Sequence, residues 1–104
     1  MQRTLIGLTL AVLTMPTTWA AGDPAAGRVK ADTCLGCHGV ATYQNVYPTY
    51  HVPKLSGQHA EYIVAALKEY QAGQRQHPTM QAQAATLSDQ DMQDIAAFWQ
   101  AAGK

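Results

Sequence analysis

The spacing of hydrophobic residues predicts a helix in the last quarter of the chain. Ser88 followed by Asp91 resembles a capping box, so the helix is expected to begin at Ser88 and to end at Gly103. Its acidic residues Asp89, Asp91 and Asp94 are expected to cap the helix start and to be solvated. An apolar stripe with a period of three to four residues marks its buried face. The stripe consists of Met92, Ile95, Ala96, Trp99 and Ala102.

A second helix is predicted over residues 56–72. Ile63, Leu67 and Tyr70 fall at positions i, i+4 and i+7, which places them on one helical face. Gly73 follows as the glycine expected just beyond a helix C-terminus.

A shorter helix is predicted to precede both of these. Asp23 suits the N-cap and Pro24 the first helical position, and the helix is expected to run to Ala31. Gly27 is a weak helix former, and it indicates either a close crossing with another helix or a tolerated glycine on the surface.

Two long segments, residues 39–53 and 74–86, show neither a helical nor a strand period. Loops of this length are uncommon in a small domain unless they are functional. We therefore expect ordered loops that wrap around a bound group. The sequence as a whole predicts an all-α domain with about three main helices and no β-strand.

The first twenty residues are expected to be a signal peptide that is cleaved after Ala20. Arg3 gives a positive start, and an apolar run follows over residues 5–15. This run is shorter than the about 20 residues that span a bilayer. Residues 1–20 are therefore expected to direct export to the periplasm. Residues 21–104 are expected to form one domain that is not inserted into the membrane.

Charge and size limit the partners and the core. The chain of 104 residues has a formal net charge of zero, and loss of the predicted signal peptide removes Arg3 and no acidic residue. This charge gives no reason to expect nucleic acid or an anionic membrane as a partner. The roughly 84 residues left form a domain near the size at which an apolar core alone is marginally stable. A large apolar cofactor would enlarge that core.

Cys34, Cys37 and His38 form the sequence C-x-x-C-H, the attachment signature of a c-type haem. Residues three apart lie on the same side of a helical turn, so both thiols can form thioether bonds along one haem edge. The adjacent imidazole can then bind the iron as the proximal ligand. These are the chain's two cysteines, so a disulfide framework is excluded unless they pair with each other. We expect one covalently attached haem c.

Met80 is expected to be the second ligand of the haem iron. It lies in a predicted loop, from which a thioether can reach the iron, whereas Met92 lies on the buried helical stripe. His77 is the best rival because it is three residues from Met80. His51 and His59 are expected to be solvated.

Taken in order, several short segments resemble the class I c-type cytochromes. The likeness is closest to the small bacterial periplasmic kind, including single halves of its two-haem members, and it covers nearly all of the mature chain. One departure is that this chain has a single C-x-x-C-H, so it is not a whole two-haem protein. The segments are DPAAGR (23–28), CLGCHG (34–39), PKLSGQ (53–58), YQAGQR (70–75), Met80, LSDQD (87–91) and IAAFW (95–99).

The resemblance implies the cytochrome c fold, in which helices and long loops surround one covalent haem. It implies His38 and Met80 as the axial ligands. It also implies that the carbonyl of Pro53 accepts a hydrogen bond from the His38 ring and so fixes its orientation. The first and last helices would cross at Gly27, which would face residue 98 or 99.

An iron with two protein ligands can exchange electrons but has little means to activate a substrate. We therefore expect a one-electron carrier without a catalytic site, which meets donor and acceptor redox proteins transiently. If Met80 is unbound or labile, the protein would instead bind ligands or act like a peroxidase. A role as an electron-transfer subunit of a larger respiratory complex also stays open.

A further alternative is that Cys34 and Cys37 carry no haem and act as a dithiol or bind a metal. The adjacent His38 and the lack of a βαβ pattern speak against a thioredoxin-like protein. A zinc site needs four ligands, and the chain has no second cysteine pair to supply them.

Overall fold

The fold is mainly helical, as predicted. The computed structural model describes residue 11 and residues 22–103, so the predicted signal peptide, residues 1–20, lies outside the described residues except at position 11. The described part contains five helices and one two-stranded antiparallel sheet. The elements are α1 (Pro24–Lys30), α2 (Asp32–His38), β1 (Gln44–Val46), β2 (Thr49–His51), α3 (Ala60–Gln71), α4 (Pro78–Ala84) and α5 (Asp89–Ala102).

The first and last helices cross in close contact at Gly27. The Asp23 side chain caps the start of α1, and Gly27 is buried one turn later. A Cβ at Gly27 would overlap the carbonyl group of Asp94 and would lie 2.9 Å from the Cβ of Phe98. The close crossing is therefore the reason for this glycine, and the prediction that it faces residue 98 or 99 is confirmed.

Asp94 is buried at this crossing, so the prediction that it is solvated is wrong. Its side chain is 5% exposed, and its Oδ2 lies 2.7 Å from Nζ of Lys30. Its Oδ1 accepts hydrogen bonds from the backbone N–H of Asp23 at 2.8 Å and from Nε2 of Gln90 at 2.9 Å. The Lys30 ammonium, followed by these two N–H donors, lowers the pKa of Asp94 to about 2. The carboxylate ties α1 to α5.

α5 begins with the predicted capping box. The Ser88 side chain accepts from the backbone N–H of Asp91, and the Asp91 carboxylate accepts from the backbone N–H of Ser88. Ala102 is exposed, so the apolar stripe was predicted one turn too long. The buried part of the predicted stripe consists of Met92, Ile95, Ala96 and Trp99.

α3 begins at Ala60, later than predicted. Gly57 has a φ of +82°, a left-handed conformation that interrupts a helix. Its backbone N–H donates to the carbonyl of Trp99 at 2.9 Å, and the Gln100 side chain accepts from the N–H of Ala60 at 2.7 Å. α5 therefore fixes where α3 starts. Gly73, with a φ of +75°, follows the end of α3 as predicted.

A short hairpin lies in the first predicted loop. Gln44 pairs with His51 and Val46 pairs with Thr49 in an antiparallel register. Both strands have three residues, and their side chains are mostly exposed. The expectation of no β-strand is therefore wrong, because strands this short carry no alternating pattern to detect.

α4 replaces the second predicted loop over residues 78–84, so the prediction of a loop is wrong there. His77 is its N-cap, and Pro78 occupies the first turn, where its missing N–H costs no hydrogen bond. The sequence PTMQAQA covers about two turns, and Met80 and Ala84 at i and i+4 are too short a pattern to indicate a helix. Met80 therefore lies on a helix rather than in a loop.

One hydrophobic core lies between the helices. Cys34, Leu35, Leu55, Tyr70 and Met80 are partly buried and pack against it. The haem motif and Met80 thus approach the same core from α2 and α4. The buried residues are Ala31, Ile63, Val64, Leu67, Ala84, Met92, Ile95, Ala96 and Trp99.

Candidate functional site

A cavity of about 440 Å³ is lined by α2, the hairpin with the loop after it, α3 and α4. This volume lies in the range of cofactor and ligand sites. The residues singled out in the sequence come together here, since Cys34, Cys37, His38, Pro53 and Met80 all line the cavity.

α2 presents the C-x-x-C-H motif to the cavity. Cys34 and Cys37 are one helical turn apart, and both thiols are free. Cys34 is half-buried and Cys37 is exposed. Burial raises the pKa of the Cys34 thiol. Reactive dithiols have a lowered thiol pKa, so this environment does not favour the dithiol alternative.

The His38 ring is held by a backbone carbonyl. Its Nδ1 lies 2.8 Å from the carbonyl oxygen of Pro53. A carbonyl oxygen only accepts hydrogen bonds, so Nδ1 carries the proton and Nε2 keeps the lone pair that a metal needs. The ring and that of Trp99 pack edge-to-face at a centroid distance of 6.5 Å. The imidazole is therefore fixed in the tautomer suited to bind iron.

Met80 lies in the first turn of α4 on the cavity wall. It is half-buried and packs against the core, and its backbone N–H lies 3.3 Å from Nδ1 of His77. Met92, by contrast, is fully buried in α5 and does not line the cavity. Of the two methionines in the described residues, Met80 is the one that can offer its sulfur to a group bound in the cavity.

His77 also lines the cavity, but its ring is engaged elsewhere. Nδ1 accepts the backbone N–H of Met80, which leaves the proton on Nε2 and no lone pair there for a metal. The ring also packs edge-on against Tyr50 at a centroid distance of 4.8 Å. In this arrangement His77 caps α4 and does not present a ligand atom.

The two other histidines are exposed in the structure. His51 ends β2 at the rim of the cavity, and His59 precedes α3 away from the cavity. Both positions agree with the expectation that these side chains are solvated.

The cavity wall fits a haem in polarity and in charge. Leu55, Ile63 and Leu67 contribute apolar surface to the wall. Lys54 and Arg75 line it as well, and none of its described lining residues is Asp or Glu. A haem is a large apolar ring with two carboxylates, so an apolar wall with cations and no carboxylate suits it.

Arg75 was not singled out from the sequence as part of the site. Its Nη2 donates to the hydroxyl of Tyr62 at 3.2 Å, and its guanidinium carbon lies 5.3 Å from the Tyr70 ring centroid. Sequence spacing does not show this cluster, because Arg75 contacts α3 only after the chain reverses direction at Gly73.

No helix among residues 22–103 has the length and apolar character needed to cross a membrane.

The comparisons with known proteins all identify the same family. The cytochrome c family model matches residues 25–102. A cytochrome c-554(548) from Halomonas halodenitrificans is 44% identical over 82 residues, which cover 76% of this chain and 95% of that protein. A cytochrome c4 from Pseudomonas aeruginosa is 36% identical over 99 residues, which cover 95% of this chain and 48% of that protein.

A solved structure shows the same fold. The reduced recombinant cytochrome c4 from Pseudomonas stutzeri superposes with a TM-score of 0.58 and 26% sequence identity. The match covers 79% of this chain and 50% of that one. The chain thus spans nearly the full length of the c-554(548) relative and about half the length of the c4 relatives.

Proposed function

This chain belongs to the cytochrome c family and is an electron carrier with one covalently bound haem c, and we propose that it works as a periplasmic one-electron carrier with His38 and Met80 as axial iron ligands. The observation that carries this proposal is the meeting of both thiols, the oriented imidazole and the Met80 side chain in one cavity.

Four side chains would hold the haem in this proposal. Cys34 and Cys37 would attach it through thioether bonds, and His38 would bind the iron through Nε2 on one face. Met80 would supply a thioether sulfur on the other face, which favours ferrous iron and raises the reduction potential relative to a second imidazole. The bound haem supplies reversible one-electron exchange at its iron.

The hydrogen bond of the His38 ring supports this assignment. The Pro53 carbonyl, 2.8 Å from Nδ1, keeps the ring in one tautomer and orientation and makes Nε2 more basic. The engagement of His77 Nδ1 by the N–H of Met80 supports Met80 over His77 as the second ligand. With both axial positions filled, the iron has no open position for a substrate.

The proposal includes export of the protein to the periplasm. Residues 1–20 would act as a signal peptide, and residues 21–104 would form the mature cytochrome domain in the periplasm. Donor and acceptor redox proteins would bind it briefly, through small interfaces that allow quick release. Intact-protein mass spectrometry of the exported holoprotein tests the processing, because the expected N-terminal residue is Ala21.

Carbon monoxide binding tests whether the iron is closed. We expect the reduced holoprotein to show a sharp low-spin visible spectrum that does not change when carbon monoxide is added at neutral pH. Rapid formation of a carbon monoxide adduct would contradict the proposal, and it would favour a ligand-binding or peroxidase-like protein with a labile distal ligand.

A further inference from the structure

One face of the hairpin is exposed and has nothing packed on it among the described residues. Side chains alternate between the two faces of a strand, and Asn45 and Tyr50 are half-buried, with Tyr50 on the cavity wall. The side chains of the other face are all exposed. We call this the outer face, and it consists of Gln44, Val46, Thr49 and His51, with Tyr47 beside it in the turn.

The outer face and the turn expose large hydrophobic side chains. Val46 and Tyr47 are 83% and 95% exposed, the highest values for large hydrophobic residues in the described part of the chain. Val40, in the loop that leads to β1, is exposed as well. Single exposed hydrophobic residues are ordinary, whereas neighbouring ones mark surfaces that contact another molecule.

The turn that carries these side chains is ordered by its own hydrogen bonds. Asn45 Nδ2 donates to the carbonyl of Pro48 at 2.6 Å, and the Thr49 hydroxyl donates to the carbonyl of Val46 at 2.8 Å. An ordered surface loses little conformational freedom when it docks. Val46 and Tyr47 are therefore presented on a preorganised turn.

The surface around the outer face carries no Asp, Glu, Lys or Arg. Residues 33–53 contain none of these four types, and neither do residues 76–88, which include α4. The rings of Tyr50 and His77 pack edge-to-face at 4.8 Å, so the hairpin and the start of α4 adjoin. A partner with a charged face would lose hydration there without gaining an opposite charge. The surface that docks on the hairpin is therefore uncharged too.

We propose that the outer face of the hairpin binds the same face of a second copy of this chain, in a brief two-fold symmetric complex in which an electron passes from a ferrous copy to a ferric copy. The inference rests on the proposed carrier function, since both copies need a redox-active haem. One iron is oxidised and the other is reduced, so the step needs no further reactant.

A second copy fits this surface in charge, in area and in position. Two uncharged faces meet without repulsion, and a formal net charge of zero gives no long-range repulsion between copies. Two strands of three residues offer far less than the about 800 Å² per partner of a stable interface, so the complex is short-lived. Val46 pairs with Thr49, whose neighbour Tyr50 lines the cavity, so the contact keeps both haem sites close.

The rate of electron self-exchange tests the proposal. NMR line broadening in mixtures of ferric and ferrous holoprotein measures this rate, at low ionic strength and at pH 8, where histidine carries no charge. Val46→Lys and Val46→Glu each place like charges on both sides of the two-fold contact. We expect either variant to lower the second-order rate at least about tenfold.

A mixture of the two variants separates contact between copies from damage to the hairpin. Ferric Val46→Lys and ferrous Val46→Glu place opposite charges at the contact, so their cross-exchange is expected to return at least to the wild-type rate after correction for any measured difference in potential. A mixture that exchanges as slowly as each variant alone would overturn the proposal.

Val29 is the matched control position. It is 76% exposed on α1 and does not line the cavity. Val29→Lys and Val29→Glu add the same charges to the molecule away from the hairpin, so both are expected to exchange at the wild-type rate. A loss of rate in Val46→Lys that is no larger than the loss in Val29→Lys would overturn the proposal.

Chemical shifts of the ferrous wild type test the contact without electron transfer. We expect the amide signals of residues 44–51 to shift as the protein concentration is raised to the millimolar range, while the signal of Val29 stays constant. Shifts that map to another surface, or none at all, would overturn the proposal and leave the proposed carrier function intact. A holoprotein that a small chemical reductant fails to reduce would contradict the carrier function, and this inference with it.

Discussion

The orientation of His38 depends on a few contacts made by the segment after the hairpin. At one end of this segment the Pro53 carbonyl accepts from His38 Nδ1, and at the other end Gly57 N–H donates to the carbonyl of Trp99. The Trp99 and His38 rings pack edge-to-face. The His38 imidazole is therefore held from two sides through α5, and the C-x-x-C-H motif alone does not reveal this support.

Gly27→Ala tests the close crossing of α1 and α5. The new methyl group would meet the Asp94 carbonyl and Phe98, so the helices would have to separate. We expect the free energy of unfolding of the holoprotein to fall by about 1–3 kcal/mol, measured by denaturant titration.

Gly36→Ala is the matched control, because a Cβ at Gly36 would meet no protein atom within 4 Å. Alanine also favours a helix more than glycine does, so this variant is expected to be unchanged or slightly more stable. Equal losses of stability in both variants would contradict the role given to the crossing.

Asp94 gives the protein a pH dependence at the acid end. Its pKa is lowered from the ordinary 3.8 to about 2, so the folded state holds the proton less tightly than the unfolded state. The stabilisation is fully present above about pH 4 and is lost as pH falls through about 2. In Asp94→Asn this part is missing at neutral pH, and the stability gap to the wild type closes toward pH 2.

Asp89→Asn is the control for this measurement. Asp89 is 82% exposed, and its carboxylate is 3.8 Å from Lys68, a surface pair that contributes little. Denaturant midpoints of the three proteins between about pH 2 and pH 7 check the expectation. A gap between Asp94→Asn and the wild type that stays constant over this range would show that Asp94 is not the group responsible.

At the scale of elements, α4 carries Met80 and is tied to α3 by one side chain. Gln71 Nε2, at the end of α3, donates to the carbonyl of Ala84 at 3.0 Å and to that of Leu87 at 2.8 Å. These bonds hold the C-terminal end of α4, while His77 caps its start. The stability of this short helix thus sets how firmly Met80 is held at the cavity.

Gln71→Ala is expected to loosen α4 and to ease the displacement of Met80 by an added ligand. Each lost hydrogen bond contributes about 1 kcal/mol net, so the affinity of the ferric protein for imidazole should rise at least about fivefold. Spectral titration with imidazole measures this affinity. Gln74→Ala, at an exposed position in the turn after α3, should leave it unchanged, and an unchanged affinity in Gln71→Ala would contradict the account.

The two elements that sequence reasoning missed are those without a repeating pattern. The hairpin at residues 44–51 has strands of three residues, and the buried face of α4 has only Met80 and Ala84. α3 and α5 have clear apolar stripes, and both were predicted. The errors lie at their ends, because tertiary contacts determine where these helices begin and end. α3 starts late because of Gly57, whose left-handed turn is held by α5.

At the scale of the whole molecule, the haem motif could be read from the sequence because covalent attachment requires a fixed local spacing. The family and the cytochrome c fold predicted from the resemblance are confirmed. The buried Asp94 and the Arg75 cluster were not predicted. Asp94 meets residues far away in sequence at a helix crossing, and Arg75 meets α3 through a chain reversal. The pattern of polar and apolar residues does not show either contact.

The near-zero formal charge of the whole chain predicts weak electrostatic steering of redox partners. We expect the second-order rate of electron exchange with a small, strongly charged redox protein to vary little with ionic strength, as measured by stopped flow. A steep fall of this rate with added salt would contradict the expectation and would reveal a local charged patch that the net charge conceals.

The most direct test of the central claim is the weak sulfur-to-iron absorption band in the red region of the oxidised holoprotein. The account predicts that the wild type shows this band, that Met80→Ala loses it, and that Met92→Leu, a volume-conserving change in the core, retains it. A band that persists in Met80→Ala, or that is absent from the wild type, would contradict the assignment of Met80 as the second ligand.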